Sequence, residues 1–82
     1  MSPHAVSLVL SFKSIGSIEN LVGFHKLTKL CLDNNQITEI VNLGHLSQLR
    51  WLDLSFNQIP RITGLKTLKN LEVFCMCLYL NV

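Results

Sequence analysis

Apolar positions return along this chain every 22 residues. Leu8, Leu30, Leu52 and Phe74 stand one such step apart, as do Leu10, Leu32, Leu54 and Met76. The same step links Ile15, Ile37 and Ile59; Ile18, Ile40 and Ile62; Leu21, Leu43 and Leu65; and Phe24, Leu46 and Leu68. Asn35 and Asn57 share a further column. Chance does not keep so many apolar columns in register over three periods. The pattern predicts a stack of near-identical turns, none able to bury its apolar side alone.

Each turn divides into two halves of different period. In residues 27–48, LTKLCLDNNQITEIVNLGHLSQ, the run Leu30-Cys31-Leu32 alternates inward and outward and predicts a short strand. Leu30 and Leu32 face the core, while Lys29, Cys31 and Asp33 face out. Asn35 follows at a bend, where its carboxamide can pair main-chain groups that no ladder reaches. Beyond it, Ile37, Ile40, Leu43, Leu46 and Leu49 are spaced by three, which predicts a 3₁₀ or short helical return on the convex side. Asn42, on that return, is expected to be nearly neutral when replaced by alanine. Pro60 and Gly64 also fall there, where a missing N–H or a positive φ is tolerated. Phe12 and Phe56 share a column just before the bend and are expected to fill the spine between turns.

The units are 5–26, 27–48, 49–70 and a shortened 71–82, together one domain. The first keeps the apolar columns but has Lys13 in the Asn column, as an N-terminal cap would. The fourth starts with Leu71, Phe74 and Met76, then places Tyr79 in the Asn column and Asn81 in an isoleucine column. An end formed by Phe74, Met76, Leu78 and Leu80 would expose core side chains and an unpaired strand edge, so self-association through it is expected.

The chain of 82 residues is 49% hydrophobic and 15% charged, which excludes a disordered segment. Its net charge of +2 gives no ground for nucleic acid or an anionic membrane as partner. Arg61, Lys66 and Lys69 read as a solvated face. No apolar run is long enough for a helical membrane span, and Val6 to Leu10 lacks the flanks of a signal peptide. Cys31 and Cys75 lie two turns apart, about 10 Å at the usual strand spacing, too far for a disulfide. Free thiols in a reducing compartment are the expectation, with Cys75-x-Cys77 too sparse for a metal site.

The period, the words LDNN at 32–35 and WLDLSFN at 51–57, and the run FKSIGSIENL at 12–21 resemble the intracellular 22-residue leucine-rich repeat family typified by the nuclear regulatory subunit of protein phosphatase 1. Within it, the closest look is to the N-terminal repeats of the dynein regulatory complex subunit 3 family. The resemblance implies an α/β solenoid with parallel strands on the concave face. It also implies a non-catalytic, cofactor-free, protein-binding scaffold in the cytoplasm, of a ciliary axoneme or cytoskeletal assembly. Binding to a protein phosphatase 1 catalytic subunit is the alternative that it raises.

The residues favour binding over catalysis on their own. His4, His25 and His45 occupy three different columns, and Glu19, Asp33, Glu39, Asp53 and Glu72 are scattered. No phosphate loop or nucleophile motif occurs. The outward strand positions supply the candidate partner surface: Lys29, Cys31, Asp33, Trp51, Asp53, Ser55 and Val73. Trp51 is its one large aromatic, the residue type most enriched at binding hot spots.

Overall fold

A computed structural model describes residues 6–78. Four strands, β1 (Ser7–Val9), β2 (Lys29–Cys31), β3 (Trp51–Asp53) and β4 (Val73–Cys75), form one parallel sheet in chain order. The register advances by one period per strand, with Leu8 beside Leu30, Leu30 beside Leu52 and Leu52 beside Phe74. Main-chain bonds extend the pairing past the strands: Leu10 N donates to Cys31 O, Leu32 N to Asp53 O and Leu54 N to Cys75 O, each at 2.8 Å. The inward columns are the core. Leu30, Leu32, Leu52 and Leu54 are fully buried, and so are Ile18, Ile37, Leu43 and Leu46 on the return side.

The asparagine column closes each turn onto the one before. Asn35 Oδ1 accepts from the N–H groups of Lys13 and Ile15, both at 3.0 Å, in the preceding turn. Its Nδ2 donates to Leu10 O there and to Leu32 O and Asp33 O in its own turn. Asn57 repeats this one period on, with Ile37 N donating to its Oδ1 and its Nδ2 donating to Leu32 O, Leu54 O and Ser55 O. Both are buried, and one carboxamide carries the donors and acceptors for the whole bend. Leu32 O accepts from both, so the two bends share an atom.

Among the described residues no helix forms on the convex side, contrary to the sequence expectation of 3₁₀ or helical returns. The three-residue spacing comes from single turns joined end to end. Leu46 N donates to Leu43 O at 3.0 Å and Leu49 N to Leu46 O at 3.1 Å, and the pattern recurs at 65–68–71. A helix needs overlapping turns at consecutive residues. Here a two-residue bond, such as Ser47 N to His45 O at 2.9 Å, falls between them instead. The return is also interrupted by a left-handed column: Asn20, Asn42 and Gly64 have φ of 63°, 60° and 75°.

That column corrects the expectation for Asn42. Besides occupying a conformation asparagine tolerates well, Asn42 Nδ2 donates to Ile18 O at 2.7 Å. At Gly64 a Cβ would lie 2.7 Å from Ile40 O, so the same corner admits only glycine there. His45 belongs to the same convex stitching. Its Nε2 lies 2.7 Å from Leu21 O, which can only accept, so Nε2 carries the proton.

The phenylalanine column is the second correction. Phe12, Asn34 and Phe56 all have left-handed φ, near 57°. Phe12 does not fill a spine: it is 76% exposed, while Phe56 is half-buried. In the return column Ile18 and Ile40 are buried under the following turn, but Ile62 is 60% exposed, with no such turn above it among the described residues. Phe74 and Met76 pack half-buried against the core and Leu78 is 57% exposed. His4, Tyr79, Leu80 and Asn81 lie outside the described residues.

Asn57→Ala and Asn35→Ala are each expected to lower unfolding free energy by about 1–3 kcal/mol, because the bend's buried groups lose their partners. Asn42→Ala is expected to cost about 1 kcal/mol through its lost bond and its left-handed φ. Chemical denaturation of the three variants checks this, and a neutral Asn57→Ala would contradict it.

Candidate functional site

The sheet's outward face is built from three columns. The first runs Ser7, Lys29, Trp51, Val73; the second Val9, Cys31, Asp53, Cys75; the third Ser11, Asp33, Ser55, Cys77. Parallel pairing in register places side chains of one column beside one another, about 4.8 Å apart. Trp51 is 39% exposed at the centre of its column, and Lys29 Nζ stands 5.2 Å from the centroid of its ring. A cation at that range over an indole holds the ring by electrostatic attraction to its π face. Val73 flanks Trp51 on the other side and is half-buried. Val9, in the same outward column as Cys31, is 59% exposed and extends the apolar surface toward the first turn, and Val6 before the strand is 56% exposed.

The polar half of the face is tied down within the chain. Asp33 Oδ1 accepts from Ser11 Oγ at 2.6 Å and Oδ2 from Asn34 Nδ2 at 2.8 Å. Partial burial pushes this carboxyl's pKa up, but the Ser11, Asn34 and main-chain hydrogen bonds outweigh it and hold the pKa below the ordinary value. Asp53 Oδ1 accepts from Ser55 N at 2.9 Å. Burial raises the pKa of Cys31, against the pull of the Lys29 ammonium and with help from Asp53, Asp33 and Cys75. Cys31 is therefore a neutral thiol at physiological pH, half-buried, and a poor nucleophile.

Ser55 is corrected as a surface residue. It is buried, and its Oγ accepts from Cys77 N at 3.0 Å, which adds to the main-chain bond from Phe56 N to Cys77 O between the third and fourth turns. Of the seven expected residues, Lys29 and Trp51 are exposed, Cys31, Asp33, Asp53 and Val73 are half-buried, and Ser55 is enclosed. The three cysteines are free thiols. Among the described residues no group of three or more His, Cys, Asp or Glu side chains is placed to hold a metal ion. At the near edge Arg50 and Glu72 form an exposed ion pair at 2.7 Å, a contact of small energetic weight.

Because the Asp33 pKa is lowered on folding, its contribution to stability is present above the ordinary carboxylate range and fades as pH falls through its folded value. Asp33→Ala is expected to be less stable than the parent chain at neutral pH, with the gap closing on acidification. Denaturation at pH 7 and in steps below pH 4 checks this. A gap independent of pH would contradict it.

Comparison with known proteins agrees with this geometry. A family profile described as "Leucine rich repeat" matches residues 3–59, and a second of the same description matches residues 48–75. Adenylate cyclase of Neurospora crassa is 37% identical over 71 residues, which is 83% of this chain and 3% of that protein. The chain thus spans about 3% of the length of that curated relative. Repeats at a 22-residue step, parallel strands in register and a profile match over most of the sequence lead to one conclusion: the chain belongs to the leucine-rich repeat family.

Proposed function

We propose that this chain is a non-catalytic protein-binding module that grips its partner through the outward face of β1 to β4, with Trp51 as the central anchor. The observation that carries the reading is Trp51 itself: a large aromatic, 39% exposed, held by Lys29 in the middle of a rigid four-stranded sheet. A ring fixed before binding loses little freedom when a partner covers it. Leucine-rich repeats are typically protein-interaction folds, which supports the class of partner. The likeness to the cyclase is confined to a small share of that protein and carries no catalytic role to this chain.

In its finer form the proposal makes the module an intracellular scaffold piece of an axonemal or cytoskeletal assembly. The support is the wording LDNN and WLDLSFN together with three free thiols. Capture from ciliated and non-ciliated cells, with the parent chain and Trp51→Ala side by side, tests both levels. Axonemal proteins held by the parent and lost by the variant are the expected result. Recovery of a phosphatase catalytic subunit instead would replace the finer reading. With the partner in hand, Trp51→Ala is expected to weaken binding by about 2 kcal/mol or more while leaving the melting temperature within a few degrees. Unaltered affinity would remove Trp51 from the interface.

Self-association through the Phe74, Met76 and Leu78 end belongs to the same proposal, because those side chains are only partly covered. Light scattering over a concentration series is expected to show a rising mass. A constant monomer mass would refute it.

A further inference from the structure

The bend beside the sheet carries a second feature that the strand face does not explain. Phe12 has a φ of 57°, in the left-handed region where a bulky side chain is a conformational outlier. Asn34, one period on, occupies the same corner with a residue type suited to it. Phe56 holds the same strained conformation but is half-buried, so its ring gains packing in return. Phe12 gains little: 76% of it faces solvent. The corner itself belongs to every turn, but asparagine fills it at lower cost than phenylalanine, so what sets residue 12 apart is the exposed aromatic ring.

Next to that ring lies a depression of about 370 Å³, lined by Phe12, Ser14, Asn34, Asn35, Gln36 and Gln58. None of the six is ionisable. Asn35 is fully committed to the bend, and Asn34 Nδ2 to Asp33. The main chains of Gln36 and Gln58 are pinned, their N–H groups donating to Ile15 O at 2.8 Å and Ile37 O at 2.9 Å. Their exposed side-chain amides have no hydrogen-bond partner among the described residues. The lining spans three successive turns, two strand spacings or about 10 Å, which three extended residues would cover.

We propose that this depression is a second protein-binding site, taking a short, extended, uncharged stretch of a partner polypeptide. An apolar side chain of that stretch packs on the Phe12 ring, and its main-chain N–H and C=O groups pair with the amides of Gln36 and Gln58 and with Asn34 Oδ1. Carboxamides supply both donors and acceptors, as a peptide main chain requires, and the absence of lining charge selects against acidic or basic stretches. The bend adjoins the Ser11, Asp33, Ser55 column, so a partner seated on the sheet can run onto it. The site is nonetheless separate from Trp51, and its test is separable too.

The probe is a displayed library of random nonapeptides selected on the full chain, followed by amide NMR titration of the enriched peptides. Selected peptides are expected to be uncharged around one aromatic or aliphatic residue and to shift the side-chain amide signals of Gln36, Gln58 and Asn34. Phe12→Asn is the decisive variant, because asparagine suits the left-handed corner: it is expected to raise Tm by about 4 °C while weakening these peptides at least tenfold. Gln36→Glu is expected to weaken them as well, and Trp51→Ala to leave them unchanged. The proposal is overturned if no peptide is enriched, if Phe12→Asn binds as the parent does or lowers Tm, or if Trp51→Ala abolishes the binding. It is also overturned if maltoheptaose, offered in parallel, shifts those amide signals and the peptides do not.

Discussion

The bend carboxamide is the constraint on which this structure depends. A strand of three residues cannot close a turn, and the chain must reverse where no neighbouring ladder is available to its main-chain groups. Asn35 and Asn57 resolve this by bonding simultaneously to their own turn and the preceding one. A shorter side chain would not reach, and a carboxylate would offer no donor to Leu10 O, Leu32 O or Leu54 O. With the bend fixed, the strand before it and the return after it take fixed directions. The 22-residue step then follows as the length of chain needed to go once around.

Two left-handed corners recur in each of the first three turns and complete the circuit, with Ser14 and Gly23 adding two more in the first. One precedes the bend at residues 12, 34 and 56, and the other opens the convex side at 20, 42 and 64. Between them the return is a row of separate tight turns, held to its neighbour by single side chains such as Asn42, His45 and Asn70. Rigidity of this kind has a consequence for binding. The outward strand columns stand at fixed spacing, so Trp51, Lys29 and the valines form one preset surface and not a mobile loop.

Much of this was legible in the sequence because apolar periodicity reports burial directly. The inward leucines, the register of Leu30 with Leu52 and the role of the asparagines all follow from one step length. The convex half was misread because a three-residue apolar row is produced equally by a 3₁₀ helix and by turns laid end to end, and only the hydrogen bonds separate them. The corner at residue 12 was hidden for a different reason: phenylalanine gives no signal for a left-handed φ, although Asn34 in the same column does. The paired appearance of Asn20, Asn42 and Gly64, residue types that suit positive φ, was visible and would have exposed the second corner. Ser55 looked outward by alternation, yet its hydroxyl is drawn in to satisfy Cys77 N, a contact that no pattern along the chain encodes. The strand face could be located from alternation, but its chemistry could not, since the pairing of Asp33 with Ser11 spans a full period.

Site-resolved hydrogen exchange tests the carboxamide account most directly. In Asn35→Ala the amides of Lys13 and Ile15, which donate to the lost Oδ1, are predicted to exchange much faster, while Ile37, held by Asn57, keeps its protection. If Lys13 and Ile15 exchange as slowly in the variant as in the parent chain, the bend is held by something other than its asparagine.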